Sequence, residues 1–479
     1  MKRIFQSALF IFAVSLLLIA CGKKSTARPV AESVSSFLNG NTNIISFGAF
    51  NLNDVLNKTG YQDEPKIKIL VNETFSQLQS SVNLETPVFY AVEGPLKDNN
   101  PAATYLFLEV KNSDSLKTNL VKNGFEVTDN KEFQYVSDGD MCLAFDKNIV
   151  TVIIKSGITD EKALLTAVRK RLTGDVSTGY VADILNQKND FTFGVNLANL
   201  YGTSNTDLAD LSAEKQKELT DMMTNSFISG ALNFNNGEMA FKVKNHFSDA
   251  LKNKLFFLKD NNAKIVGNLG AGAPKAGLSL NLDTKKLQEF LNEYAPNAID
   301  DLTEEIGGPF ALAMLAADGD ISKLIDGRIG ALVFGDANNL MSGLTPDLNF
   351  FIGLAGQGKK FGETIKEQLA DKFKKVELTN AGIAGSSSLD FVGNSVQLPA
   401  SAANFGKNSV DFFLDLSTVD AASFDLDGGM KFLELLKSVS LTYNSDGGEL
   451  IIKTKDNKDN ILKQVLQKAL QSFEDQLAF

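Results

Sequence analysis

The sequence predicts an α+β protein made of two tandem, internally duplicated halves, each an antiparallel sheet with helices packed on one face. Three observations support this fold class. A hairpin-and-helix segment occurs twice, a strand-to-helix motif occurs four times, and a strand–helix–strand piece lies in the middle of each half. Self-similarity indicates duplication, and such pieces are typical of antiparallel sheets with one covered face.

The first repeat is a hairpin followed by a helix. Residues 232–243 and 441–452 each contain two alternating apolar runs about a turn rich in Asn, Asp and Gly. This pattern is a β-hairpin signal. Apolar residues then recur at helical spacing in 250–255 and 461–466. The match runs through both strands and the helix with one short insertion, so we expect a true repeat.

The second repeat is an apolar strand, an Asn or Asp, a Leu and the start of a helix. It occurs at 49–56, 194–200, 279–283 and 413–417. Short polar side chains accept hydrogen bonds from the free N–H groups of a first helical turn. The sequence therefore predicts N-caps at Asn53, Asp283 and Ser417.

A third correspondence fills the middle of each half. Strand 104–110 precedes a helix at 114–123, and strand 349–354 precedes a helix at 360–372.

These repeats set the predicted domain boundaries. We expect a signal peptide at 1–20, a flexible tether at 21–40, a first half at 41–262, a Gly-rich linker at 263–274 and a second half at 275–479.

The N-terminal segment has the parts of a secretory signal. Lys2 and Arg3 are basic, and residues 8–20 form an apolar stretch. That stretch is shorter than the roughly 20 apolar residues that span a bilayer. We therefore expect a cleaved signal rather than a transmembrane helix.

The signal ends in a sequence that resembles the lipobox recognised by lipoprotein signal peptidase: Leu18, Ile19, Ala20, Cys21 and Gly22. The resemblance implies cleavage before Cys21 and lipid on its thiol. A triacylated N-terminus stays on a membrane far more firmly than a single acyl chain does. Gly22, in place of Asp, implies the outer membrane. The absence of acidic residues in 23–26 implies that the protein faces the periplasm, with the cell surface as the alternative.

The lipobox, the strand–Asn–Leu–helix opening after a short tether and the duplicated halves together resemble a family of Bacteroidota lipoproteins that carries only a domain-of-unknown-function label. The resemblance covers most of the mature chain. It implies the fold and the anchor, and it transfers no activity and no catalytic residues.

Composition narrows the classes of partner. The formal charge is −11, and an acidic surface opposes nucleic acid and anionic headgroups. The chain has 35 Phe, 8 Tyr and no Trp, which favours apolar cores over the stacking platforms of glycan-binding proteins. We expect the membrane, through the lipid, and an envelope protein as partners, and no nucleic acid.

Catalytic residues are scarce. His246 is the only histidine, so any Ser–His–Asp or Cys–His mechanism would depend on it, and we interpret it as a polar residue at a strand-to-helix junction. Cys142, the one cysteine besides Cys21, lies in a predicted strand and is expected to be a buried core thiol. We expect no cofactor and no zinc site built from Cys and His.

One acidic cluster could carry chemistry: Asp300, Asp301, Glu304 and Glu305. Their spacing could place several carboxylates on one helix face, as a divalent cation or acid–base catalysis requires. The alternative, which we favour, is a solvated helix start after Pro296, where acidic groups complement the helix dipole.

Three functional hypotheses follow. The first is a non-enzymatic envelope lipoprotein that acts as a scaffold or binds protein. The second is a carrier that holds an apolar ligand in a Phe-lined cleft between the halves. The third is a carboxylate-dependent hydrolase that uses the cluster at 300–305.

Overall fold

The computed structural model describes residues 29–69, 71–72, 80–96, 100–155, 157, 160–177, 179–201, 211–259, 265–295, 297–299, 301, 308–335, 347–387, 396–418 and 430–477. The chain divides into two compact units. Unit 1 contains residues 1–210 and 224–234, and unit 2 contains residues 211–223 and 235–479. Both units mix helices with antiparallel strands, so the α+β class is confirmed.

The sheet of unit 1 is antiparallel throughout its described pairs. In the order of pairing it reads β10, β9, β1, β3, β4, β8, β7, β6 and β5, and β2 pairs with the end of β4. The strands are β1 (Ile44–Phe50), β2 (Val82–Asn83), β3 (Val88–Glu93), β4 (Ala103–Val110), β5 (Thr128–Asp129), β6 (Gln134–Asp138), β7 (Met141–Phe145), β8 (Ile149–Ile154), β9 (Phe191–Asn196) and β10 (Phe227–Asn235).

Helices of unit 1 lie against both faces of part of this sheet. They are α1 (Val30–Asn39), α2 (Leu52–Lys58), α3 (Ser113–Lys122), α4 (Glu161–Leu172), α5 (Tyr180–Leu185) and α6 (Leu197–Tyr201). Cys142 and Ala144 of β7 join a core with α1, α4 and α5, whereas Leu143 and Phe145 join a second core with α3. Because side chains alternate along a strand, a strand as apolar as β7 needs cover on both faces. This differs from the predicted arrangement, in which helices cover one face only.

The sheet of unit 2 is also antiparallel throughout its described pairs. Its order is β11, β19, β18, β17, β12, β13, β14, β16 and β15. The strands are β11 (Glu238–His246), β12 (Ala276–Asn281), β13 (Ile325–Phe334), β14 (Asp347–Leu354), β15 (Lys375–Leu378), β16 (Gly382–Ser386), β17 (Val410–Asp415), β18 (Leu436–Asn444) and β19 (Gly447–Thr454).

Unit 2 has its own helices and core. The helices are α7 (Ala213–Met223), α8 (Asp249–Lys254), α9 (Thr284–Tyr294), α10 (Gly308–Ala316), α11 (Gly358–Leu369) and α12 (Ile461–Leu477). Fully buried Phe351, Phe413, Ile265 and Leu269 belong to one core cluster. The Phe-rich composition therefore serves the interior here.

Two segments that we predicted to be connectors are structured. Within the predicted tether, residues 30–39 form α1, and its buried Phe37 lies with its ring 4.8 Å from that of Tyr105. Within the predicted linker, residues 266–268 form a 3₁₀ turn between buried Ile265 and Leu269. Apolar side chains spaced among small residues anchor both segments to a core.

The units also divide differently from the predicted halves, because residues 211–223 and 235–262 belong to unit 2. Strand β11 explains the difference. It pairs along its length with β19, from Glu238 opposite Lys453 to Lys244 opposite Gly447.

Candidate functional site

Most residues of the two predicted sites lie outside the described part of the chain. This holds for the lipobox and lipid-attachment residues Leu18, Ile19, Ala20 and Cys21, and for Asp300, Glu304 and Glu305. Asp301 is described. It is exposed, and its backbone N–H donates to the carbonyl of Asn297 at 2.9 Å, as in a helical turn.

His246 lies at the end of β11, shortly before α8. Burial lowers the pKa of its imidazole below the usual 6.5, and the charges of Lys244 and Lys252 lower it further. The side chain is therefore neutral at pH 7. Its position agrees with the predicted strand-to-helix junction.

Cys142 is fully buried in β7, as predicted for a core thiol. Burial raises the pKa of the thiol, and the Ser137 hydroxyl, 3.6 Å away, partly offsets this effect. Since the thiolate is the reactive form of cysteine, both burial and pKa make this side chain a poor nucleophile.

Unit 1 contains a cleft of about 510 Å³ that no sequence pattern predicted. The start of α1, the start of α2, the segment before β3, the end of β4 and the residues after α5 form its wall. We call it the acidic cleft. It is lined by Pro29, Val30, Ala31, Asn51, Asp54, Glu85, Thr86, Pro87, Phe89, Glu109, Val110, Asn148, Leu185, Asn186, Gln187 and Lys188.

Carboxylates outnumber cations in the acidic cleft. Among the described lining residues, the carboxylates are Asp54, Glu85 and Glu109 and the one cation is Lys188. Glu109 accepts a hydrogen bond from the amide of Asn83 at 3.0 Å. Within the described ranges, none of the three carboxylates forms an ion pair with a Lys or an Arg. The described lining residues therefore carry a net negative charge, which favours a cationic ligand.

Apolar side chains form part of the same wall. Phe89, Val110 and Leu185 are each at least nine-tenths buried where they line the cleft. Carboxylates beside apolar surface suit a cation on an aliphatic stem, because the stem covers the apolar wall while the charge meets the carboxylates.

A buried ion pair fixes one side of the acidic cleft. Asp190 is 3% exposed, and each of its carboxylate oxygens lies 2.6 Å from the ammonium nitrogen of Lys58 on α2. The same carboxylate accepts from the backbone N–H of Phe234 at 2.6 Å. Asn51, which lines the cleft, donates its backbone N–H to the carbonyl of Asp190 at 2.9 Å. These bonds join α2, β9 and β10 and position the cleft wall.

Unit 2 carries a network of four partly exposed charges on three helices. Lys215 of α7 lies 2.9 Å from Glu218 and 2.5 Å from Glu293 of α9, and Lys254 of α8 lies 2.9 Å from Glu218 and 3.4 Å from Glu293. Hydrogen bonds from the two lysines lower the pKa of Glu218 to about 2. The same contacts raise the pKa of Lys215. Alternating charges of this kind hold α7 beside α8 and α9.

Asp411 of unit 2 is a buried carboxylate. It is 2% exposed and accepts from the backbone N–H groups of Gly406 at 2.8 Å and Asn408 at 3.1 Å, and from the Asn408 amide at 2.7 Å. With these donors Asp411 fixes the loop that precedes β17, so we assign it a structural role.

Within the described residues, no group of His, Cys, Asp or Glu side chains is arranged to hold a metal ion. No described helix combines the length and apolar character required to cross a membrane.

Comparisons with protein-family models and with curated proteins give no match. Among solved structures, the chain is similar to crystal form III of TP0453, at 11% identity and a TM-score of 0.29, over 47% of this chain and 82% of that one. The match to crystal form I has a TM-score of 0.29 at 10% identity and covers 47% of this chain and 81% of that one. The match to crystal form IV has a TM-score of 0.28 at 10% identity and covers 46% of this chain and 81% of that one. Likeness at this level carries no argument about function.

Proposed function

We propose that this chain is a lipid-anchored lipoprotein of the bacterial cell envelope, with a non-enzymatic scaffolding or protein-binding role. The observation that carries the proposal is the lipobox-like ending of the signal, with Cys21 as the attachment residue. We place the protein on the outer membrane, facing the periplasm, among the Bacteroidota lipoproteins that it resembles.

The short distance along the chain from Cys21 to the folded part supports a role at the membrane surface. Pro29, eight residues after Cys21, already lines the acidic cleft. Eight extended residues span at most about 29 Å. Anchored in this way, unit 1 presents its cleft close to the lipid headgroups, where an envelope partner can reach it.

We also propose that the chain arose by internal duplication. Three facts support this. Strand β1 lies between β3 and β9, as β12 lies between β13 and β17. β9 then pairs with β10, as β17 pairs with β18. Finally, β11 and β19, each the second strand of its predicted repeat hairpin, pair with one another.

Metabolic labelling with an alkyne analogue of palmitate tests the anchor. We expect the wild-type chain to be labelled and to fractionate with the outer membrane, and the Cys21→Ser variant to lose both properties. Cys142→Ser is the matched control and should keep both. Equal labelling of Cys21→Ser and wild type would refute lipid attachment at Cys21.

The carrier hypothesis remains a second proposal, supported by aromatic side chains on the sheet of unit 1. The rings of Tyr90 and Phe191 stack 5.6 Å apart, and Phe193 lies 6.3 Å from Phe191. All three residues are only partly buried. Native mass spectrometry of the gently extracted protein should then show a bound apolar ligand, and a ligand-free spectrum would refute the carrier role.

A further inference from the structure

The described wall of the acidic cleft carries more negative than positive charge, which favours the binding of a cation. In the described part of its wall, Asp54, Glu85 and Glu109 face one basic residue, Lys188. In the described part of the chain these three carboxylates form no ion pairs with Lys or Arg. Like charges that line one cleft raise its negative charge density, which favours a bound cation.

The segment that leads into the cleft supplies such cations. Residues 22–28 read Gly-Lys-Lys-Ser-Thr-Ala-Arg, with Lys23, Lys24 and Arg28 and no acidic residue. Lys and Arg side chains carry their charge on aliphatic stems, which match the apolar part of the cleft wall.

Chain connectivity keeps this segment within reach of the cleft. Arg28 is bonded directly to Pro29, which lines the cleft. Lys24 precedes Pro29 by five residues, a reach of at most about 18 Å. A segment joined by so short a connection has an effective concentration in the millimolar range, well above that of a separate basic partner.

We propose that the basic tether, residues 22–28, binds in the acidic cleft of unit 1, with its cationic side chains paired to Asp54, Glu85 and Glu109. Binding shortens the connection between the lipid and unit 1, and a separate basic segment competes with the tether for the same three carboxylates. A partner with a basic segment must then displace the tether. The shortened connection to the lipid rests on the proposed lipid anchor. Binding of the tether in the cleft does not, because residues 22–28 are present with or without lipid.

Zero-length carbodiimide cross-linking of the full chain, purified in detergent at low ionic strength, tests the proposal. This reagent joins a lysine to a carboxylate only when they are in contact. We expect cross-links from Lys23 or Lys24 to Asp54, Glu85 or Glu109, and their loss in 1 M NaCl, where the screening length is about 3 Å.

Two variants and an internal standard make the result interpretable. Asp54→Asn with Glu85→Gln and Glu109→Gln should abolish cleft cross-links. Lys23→Gln with Lys24→Gln alters only the tether and should do the same without touching the fold. The exposed Lys117–Asp129 pair, 3.0 Å apart, should cross-link in every low-salt sample.

The proposal is overturned if the Lys117–Asp129 cross-link forms while neither tether lysine joins a cleft carboxylate. It is also overturned if an added basic peptide or an amine headgroup lipid occupies the cleft equally well in the wild type and in the Lys23→Gln, Lys24→Gln variant. Failure of Cys21 labelling would refute the lipid anchor and leave this result unchanged, so the two tests fail separately.

Discussion

At the scale of single residues, burial decides what a charge contributes. Asp190 is 3% exposed and is held by Lys58 and by the backbone N–H of Phe234, whereas Lys217 and Asp221 form a pair with side chains more than half exposed. A desolvated charge destabilises the fold unless a partner compensates it. An exposed ion pair contributes little to the free energy of folding, because water and salt screen it.

We expect Asp190→Ala to lower the free energy of unfolding by about 3 kcal/mol. This is the low end for breaking a buried pair, because Lys58 is one-third exposed and can turn to water. The control Asp221→Ala should cost less than about 1 kcal/mol. Urea denaturation measures both, and equal costs would contradict the structural role given to Asp190.

The single histidine offers a direct test of local electrostatics. The pKa of His246 is lowered by burial and by Lys244 and Lys252. The unfolded state, with a pKa near 6.5, then binds a proton more readily than the folded state does. Protonation of His246 therefore favours the unfolded state. Its effect on the free energy of unfolding is absent above pH 6.5 and grows as the pH falls from 6.5 toward the folded pKa. The imidazole signal in a proton NMR titration should have its midpoint below 6.5, and a midpoint at or above 6.5 would contradict this environment.

At the scale of elements, the turn that connects β10 to β11 depends on a glycine. Gly237 has φ of 64°, and a Cβ there would lie 2.5 Å from the Cα of Asn457. Gly139 has nearly the same φ, 61°, with nothing within 4 Å of its Cβ position. An Ala at Gly139 would test backbone strain alone, whereas an Ala at Gly237 would add a steric clash to the same strain.

We expect Gly139→Ala to cost about 1–2 kcal/mol, which is the cost of left-handed backbone in a residue with a Cβ. Gly237→Ala should cost about 1–3 kcal/mol more, because Asn457 must move. Thermal or urea unfolding of the two variants gives the comparison. Equal destabilisation would show that the backbone at 457 is not held against the turn.

The charge network of Lys215, Glu218, Lys254 and Glu293 should control how firmly α7 is held. Lys215 of α7 contacts Glu293 of α9, and Lys254 of α8 contacts both Glu218 of α7 and Glu293, so these three pairs cross between helices. The described ion pair of Lys217 is with Asp221, within α7. We expect Lys215→Met with Lys254→Met to speed amide hydrogen exchange throughout α7, because the pairs across helices are lost. Lys217→Met should leave that exchange nearly unchanged. Equal acceleration in both variants would point to helix propensity instead.

Several elements could be predicted from the sequence because their patterns are local. The hairpin predicted at 441–452 is confirmed as β18 and β19, and Asp283 accepts from the backbone N–H of Lys286 as an N-cap. Asn53 was wrong as an N-cap, because α2 begins one residue earlier, at Leu52. Helix α1 was missed since Ser and Ala dilute its apolar residues. Val30, Val34, Phe37 and Leu38 nevertheless have helical spacing, which was the available signal.

At the scale of the whole molecule, the acidic cleft could not be predicted. Asp54, Glu85 and Glu109 come from a helix, a loop and a strand, so no spacing in the sequence links them. Similarly, Glu238 of β11 lies opposite Lys453 of β19, although the hairpin pattern placed β11 in the first half. Local periodicity indicates elements, whereas pairing between distant strands decides which unit each one joins.

The intact mass of the chain recovered from the membrane fraction tests the central claim most directly. Cleavage before Cys21 with lipid attachment predicts a species that lacks residues 1–20 and carries the mass of a diacylglyceryl group and an N-terminal acyl chain on residue 21. A Cys142→Ser chain should show the same modification. A chain of the full 479 residues, or one cleaved elsewhere without added lipid, would contradict the account.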